Sequence, residues 1–354
     1  MASDQDLVVE TVRDILTGYP PFTPAPERPW DDGLWGSLAE AGLTGVGLPE
    51  PVGGSGGELA DAVAIVRTLA AGAAAVPVAE QLLVAGPAVV AADLTLPPVD
   101  EPLTFALGPA ATAHASNDGD GPGRFTLSGT VTDVAWSGAA RHLGVLVAGA
   151  AGPVLALVDV TGIEATSATN LAGEPRGSLV LDDVAASGAL LTSAQVEELK
   201  ARYALARAIQ LAAALEEVLA WTVQYAGERQ QFGRPLGKFQ AIQMELAEMA
   251  GEVTAVTALT DAAVQAVERG ENVVLACAAA KMRAGAAVEV VARLAHQVHG
   301  AIGFTQEYKL HHLTKRLWAW RDEAGSELAW SRVLGAGLLA DGADGLWPAL
   351  TRLV

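Results

Sequence analysis

The sequence predicts a mainly α-helical protein with a small β domain in its middle, and three observations carry that expectation. Apolar residues recur every three or four positions at both ends of the chain but alternate between about residues 99 and 192. Gly and Pro turns join the periodic stretches. The 354 residues, 51% hydrophobic and 18% charged, suit a compact protein of two or three domains and exclude bulk disorder.

Residues 1–98 read as an N-terminal helical domain of short helices. Trp35, Leu38 and Leu43 lead into Leu48-Pro49-Glu50 and the cluster Gly53-Gly54-Ser55-Gly56-Gly57, and a helical run starts near Glu58. Pro77, Pro87 and Pro97-Pro98 punctuate the remainder of this domain. Residues 99–192 read as a middle β domain: Phe125, Leu127, Gly129 and Val131 alternate, and the runs 143–148, 154–160 and 178–184 are short and β-prone. Residues 116–123 read as an exposed hairpin loop. Residues 193–354 return to helical spacing as a C-terminal bundle of three long helices and a fourth near the end. Leu205, Ile209 and Leu219 mark the first, and 273–298 the third. The second carries Phe239, Ile242, Leu246, Met249, Val253 and Val256, an apolar stripe expected to be buried.

Composition removes several functions. A net charge of -19 argues against nucleic acid, which needs a basic footprint. The lone Cys277 forms no disulfide framework and reads as an inert buried thiol. No stretch reads as a membrane span, and the amino terminus lacks a secretory pattern, so a cytoplasmic location is expected. His296 and His299 are three apart on a helix but lack a third ligand, so no metal is expected, and His311-His312 reads as a solvated pair. The 53–57 glycines lack the strand-before, lysine-after context of a phosphate loop and read as a turn.

Two polar clusters remain. Arg229-Gln230-Gln231-Phe232-Gly233-Arg234-Pro235 is a basic corner before the second long helix, and in so acidic a chain it suits an anionic group such as a pyrophosphate. Gln297-Val298-His299-Gly300 closes the third long helix, where a glycine lets backbone approach a ligand. A third stretch, Trp318 to Glu327, places carboxylates and aromatics at a Gly turn, the setting in which a general base is desolvated.

Taken in order, these pieces resemble the acyl-CoA dehydrogenase family. The resemblance rests on Tyr225-x-x-x-Arg229-x-Gln231-Phe232-Gly233-x-Pro235-Leu236, on Phe239-Gln240-x-Ile242-Gln243, and on Gln297-x-x-Gly300-x-x-Gly303-Phe304-x-x-Glu307-Tyr308. Lys281 falls where the family often has lysine. Upstream, Leu34-Trp35-x-x-Leu38-Ala39-x-Ala41-Gly42-Leu43 is similar to its amino-terminal domain. The resemblance implies the α–β–α fold, with FAD bound between subunits. It implies Arg229, Gln231, Phe232, Leu236, Ile242, Gln297 and Gly300 as FAD contacts. It also implies α,β-dehydrogenation of an acyl-CoA thioester, with electrons passing to an electron-transfer flavoprotein.

The sequence departs from that pattern at its chemistry. The catalytic carboxylate of the family would fall on Ala324; Glu323, one residue early, is the candidate base. The alternative base position near Tyr203-Ala204 holds no acid, with Glu197 and Glu198 more than a turn upstream. The flavin-wall motif is replaced by Thr130 to Ser137, of which Trp136 and Ser137 are the expected remnant. The chain therefore resembles the shorter, base-less subunit of steroid side-chain dehydrogenases. The expectation is a hetero-oligomer in which this chain completes the FAD site of a catalytic partner. The alternatives are a self-sufficient homo-oligomer using Glu323, and a flavin-free structural relative.

Overall fold

The computed structural model describes residues 4–25, 28–115, 123–340 and 342–351; apart from Gly123, the loop expected at 116–123 lies outside them. The chain divides into two compact units, Met1–Val66 with Ala74–Tyr203, and Arg67–Ala73 with Ala204–Val354.

In the first unit α1 (Asp4–Thr17) and α2 (Asp32–Glu40) precede two 3₁₀ turns, Leu43–Gly45 and Glu50–Val52. Asp31 caps α2 by accepting from Leu34 N at 3.3 Å, which satisfies a helix-end donor. The glycine cluster is a tight loop folded on its own backbone: Ser55 N donates to Gly45 O at 2.8 Å and Gly56 N to Leu48 O at 2.9 Å. A Cβ at Gly54 would meet Leu48 O at 2.2 Å, so close approach dictates this glycine, and the loop is the turn expected rather than a phosphate cradle. After α3 (Leu59–Ala71), α4 (Val78–Glu80), a π-helical turn (Gln81–Ala85) and α5 (Gly86–Ala91) form one run. Buried Gln81 bonds Thr44 O and Val99 O at 2.7 Å each and accepts from Leu103 N at 2.8 Å, fixing the entry of the first strand.

Five strands come next: β1 (Leu103–Ala115), β2 (Arg124–Ala135), β3 (His142–Gly149), β4 (Gly152–Asp159) and β5 (Arg176–Leu190). They close a barrel in the order β1-β2-β5-β4-β3, antiparallel except where β1 meets β3. Closure removes exposed sheet edges. Alternate residues line the interior, among them Leu127, Val131, Val145, Val154, Val158 and Leu179, all buried. β1 was not legible as a strand: Gly108 breaks its pattern because a side chain there would press on Val145 and Val147 at 3.0–3.1 Å, beside a register shift.

The helix α6 (Ser193–Glu228) leaves the barrel and runs into the second unit. Beyond it lie the hairpin β6 (Gln230–Gln231) and β7 (Arg234–Pro235), then α7 (Gln240–Arg269) and α8 (Val273–His299). Next come α9 (Leu310–Asp322), α10 (Glu327–Leu339) and α11 (Gly342–Thr351), so the expected fourth helix is three shorter ones. Among the described residues no helix is long and apolar enough to cross a membrane. The α7 stripe is only half covered within the chain: Met249, Val253 and Val256 are buried, whereas Phe239, Ile242 and Leu246 remain partly exposed. α8 is packed along α7, and Gln297 near its end reaches Glu245 on the second turn of α7, yet Phe239, Ile242 and Leu246 are not fully covered among the described residues.

Candidate functional site

The basic corner is a short hairpin at the end of α6. Gln231 pairs with Arg234 across a tip made by Phe232 (φ 52°) and Gly233 (φ 79°). Two left-handed residues in succession give the turn that matches strand twist, but the first position favours Asn or Gly, not a bulky aromatic. Phe232 holds it nonetheless and is 92% exposed. Arg229 is fixed through its backbone, its N donating to Tyr225 O and its O accepting from Leu236 N, both at 2.8 Å. Its side chain is exposed, and among the described residues no carboxylate pairs with it. Arg234 lies over the Phe239 ring at 4.1 Å. Gln231 is exposed; Leu236 and Ile242 are half-buried.

The second corner is tied to the first. Gly300 has φ 63° and ψ -142°, a conformation that essentially requires glycine. Gln297, exposed, donates from Nε2 to Glu245 Oε1 on α7 at 2.6 Å, while Glu245 Oε2 is buried with no partner among the described residues. Buried His299 is the joint. A carbonyl can only accept, so His299 Nδ1 donates to Ala295 O (2.7 Å), leaving Nε2 to accept from the Tyr308 hydroxyl (3.1 Å). Its ring stacks on Tyr225 at 4.4 Å, and the Tyr225 carbonyl is the one that holds Arg229 N. Burial lowers the His299 pKa, and that of His296, so both stay neutral near pH 7.

The fit to a dinucleotide can be read from what these corners leave unpaired. An exposed guanidinium with no carboxylate suits a phosphate, an exposed aromatic at a strained tip suits a flat ring or a second chain, and an orphaned buried acceptor calls for a donor. These residues fit FAD.

Glu323 does not join them. It ends α9, and its Oε2 lies 2.8 Å from Nε of fully buried Arg207. Ala324 (φ 55°) and Gly325 (φ 96°) form the adjoining turn. Lys281, fully buried on α8, donates to Arg321 O at 2.6 Å and Gly325 O at 2.8 Å, and Trp330 Nε1 donates to Ala324 O at 2.7 Å. Arg321 pairs with Glu327. The turn is thus fixed by buried donors, and at Ala324, where the sequence resemblance puts a carboxylate, it presents a methyl group.

Tyr203, at the end of the first unit, is buried, as is Ala204, with which the second unit resumes. In the first unit Glu197 pairs with Lys200 at 2.9 Å, and Glu198 pairs with Arg202 at 2.8 Å. A cavity of about 240 Å³ lined by Ala91, Leu155, Leu199, Glu198 and Arg202 therefore offers apolar contact and no free base. Trp136 is no flavin wall. It is 2% exposed, its Nε1 donates to buried Glu80 at 3.0 Å, and it packs against Ala75, Ala135 and Ala139. Ser137 accepts from Gly177 N at 2.9 Å.

Nor is His311-His312 a solvated pair: both rings are half-buried, 4.1 Å apart. Burial lowers the His312 pKa to about 4, with the charges of His311, Arg316 and Lys315 adding to it. Because that value lies below the ordinary 6.5, the unfolded chain binds more protons between pH 4 and 6.5, and stability falls as pH drops through that window. His296 and His299 act in the same direction. His312→Gln is expected to shallow the loss of urea midpoint between pH 6.5 and 4; an unchanged profile would show that this side chain does not set it.

Glu245 and Arg207 do not stand out in the sequence, and His299 does so only as part of a polar helix end, not as the joint between the two corners. An available signal was a polar residue on an otherwise apolar helix face, as Lys281 stands within Ala278-Ala279-Ala280-Lys281-Met282.

Residues 199–327 match the family model for the acyl-CoA dehydrogenase C-terminal domain, and residues 3–92 that for the N-terminal domain. The chain is 31% identical over 294 residues to the acyl-CoA dehydrogenase IpdE2 of Mycobacterium tuberculosis, covering 82% of each. Among solved structures it is similar to the Tcur3481-Tcur3483 steroid ACAD variant (TM-score 0.84, 30% identity, 96% of this chain and 99% of that one). The ChsE4-ChsE5 complex from Mycobacterium tuberculosis shares the fold (TM-score 0.83, 24% identity, 96% and 98% covered).

Proposed function

This chain belongs to the acyl-CoA dehydrogenase family, an FAD-dependent group of oxidoreductases, and on that footing we propose that it is the partner subunit of a heteromeric enzyme. In this reading it lends Arg229, Gln231, Phe232, Leu236, Ile242, Gln297 and Gly300 to an FAD whose ring and base belong to a catalytic chain. The carrying observation is a contrast within one molecule: Arg229 is exposed with no carboxylate partner among the described residues, while the position that the resemblance gives to the base is Ala324 and the neighbouring Glu323 is held by buried Arg207. A carboxylate committed to a buried guanidinium is poorly placed to collect a substrate proton. Buried Trp136 supports the same reading, since its face is committed to the interior.

FAD bound there supplies a two-electron acceptor for the β-hydride, and we propose an electron-transfer flavoprotein as the next carrier. The residues of this chain bind and orient. Arg229 neutralises phosphate charge, Gly300 permits close backbone approach, and Phe232, Leu236 and Ile242 exclude water. A steroid side-chain thioester is the proposed substrate class; it is supported by the similar structure at 30% identity, a steroid ACAD named for two proteins, Tcur3481 and Tcur3483. The 1–98, 99–192 and 193–354 division is our proposed domain structure.

The test is expression alone and together with the catalytic dehydrogenase encoded nearest to it. Chain purified alone is expected to lack the 450 nm flavin band and acyl-CoA-dependent dye reduction, and the co-purified complex to show both. Yellow, active protein from this chain by itself overturns the reading, and loss of that activity in Glu323→Gln would assign the base to Glu323.

A further inference from the structure

Glu245 is the group in the candidate site that the function above leaves unused. It lies on α7 one turn beyond Ile242, and Gln297, in the last turn of α8 beside Gly300, reaches across to hold one of its oxygens at 2.6 Å. Facing a carboxylate, the Gln297 amide must turn its NH₂ inward, so its oxygen is left as an acceptor. The other Glu245 oxygen is buried and has no donor among the described residues. A buried acceptor without a partner is destabilising, more so when charged, so such a group calls for a donor.

The missing donor has a definite chemistry. A phosphate at neutral pH brings negative charge and no hydrogen, and would be repelled. The hydrogen-bond donors in the adenosine half of FAD are its ribose hydroxyls and the adenine amine. Arg229 and Glu245 thus differ in what they select: an anion at the hairpin, a neutral donor on the second turn of α7.

We infer that Glu245, oriented by Gln297, is a cofactor-selecting residue whose free carboxylate oxygen accepts a hydrogen bond from the adenosine half of FAD, from a ribose hydroxyl or from the adenine amine. The inference rests on the proposed FAD site. It predicts that the site distinguishes dinucleotides by their hydroxyl and amino groups as well as by charge.

The experiment is done on the assembled, flavin-stripped enzyme by titration with FAD, ADP, 2′-deoxy-ADP, 3′-deoxy-ADP and inosine diphosphate. Glu245→Gln, nearly isosteric, places an NH₂ or a weaker acceptor where the carboxylate oxygen stood. It is expected to weaken FAD and ADP about tenfold, or about 1.4 kcal/mol. The analogue that lacks the bonded group is expected to bind wild type about tenfold more weakly than ADP and to be indifferent to the substitution, which identifies the donor. FAD and ADP affinities unchanged in Glu245→Gln overturn the inference. So does a variant that weakens subunit association while leaving the affinity of the assembled enzyme intact, since the oxygen would then serve the partner chain. If no analogue binds wild type less tightly than ADP, the inference also fails, without recourse to any variant. Arg229→Ala separates this from the underlying reading: retention of FAD in both variants removes the site itself, whereas loss in Arg229→Ala alone removes only the role of Glu245.

Discussion

Lys281→Met is expected to destabilise the second unit by about 3 kcal/mol, since it strips the donor from two carbonyls and each buried acceptor left unmet costs about 1–3 kcal/mol. The carbonyls are those of Arg321 and Gly325, which bracket the Ala324 turn. Methionine fills the space but offers no hydrogen, so packing loss is small and the effect isolates the polar clamp. The pH dependence separates this from a simple packing defect. Burial lowers the Lys281 ammonium from 10.5 to about 8 against the opposing pull of Glu327. Between those values the unfolded chain binds more protons than the folded one, so the lysine contribution grows more favourable as pH rises from about 8 to 10.5. A neutral amine still has two hydrogens for its two carbonyls. The deficit of Lys281→Met in urea unfolding is therefore expected to widen above pH 8. A deficit below about 1 kcal/mol would show that the carbonyls find other donors, most simply water.

Arg229→Ala is expected to weaken FAD retention in the assembled enzyme by about 1.5–3 kcal/mol, the range for a charged hydrogen bond, which is about 10- to 150-fold in affinity. The fold should be untouched. Arg229 is anchored through its backbone to Tyr225 and Leu236, and its side chain touches no carboxylate of its own chain among the described residues. Equilibrium dialysis of FAD, with thermal unfolding of the same samples, reads both quantities. Arg229→Lys should recover only part of the loss, because an ammonium cannot grip two phosphate oxygens in one plane. Unchanged FAD affinity in the alanine variant would remove the residue from the site.

Much of the architecture is legible in the amino-acid order alone. The α–β–α order comes from the change of hydrophobic period, and the strands at 124–135, 142–149, 152–159 and 176–190 cover the expected β runs except for Val160 at the end of one. What escaped had physical reasons. β1 carries Gly108-Pro109 and small residues in place of alternating large ones, because neighbouring valines occupy its space. The stripe on α7 is periodic throughout, but periodicity reports an apolar face and not what covers it, so the exposure of Phe239, Ile242 and Leu246 was hidden. The Arg207–Glu323 pair joins α6 to the end of α9, a contact that only the fold creates. Trp136 shows the converse limit: an aromatic in the expected segment was readable, its burial on Glu80 was not.

The tip of the hairpin has one more consequence. At Phe232 the local preference of the residue and the backbone it must adopt disagree, so the monomer is frustrated at a site where asparagine would relax it. Under the proposed subunit role, Phe232→Asn should thus leave the solitary chain as robust as before, or more so, and weaken only FAD retention in the assembled enzyme. If the proposed role holds, optimising this polypeptide in isolation would unlearn a feature that serves only the assembly.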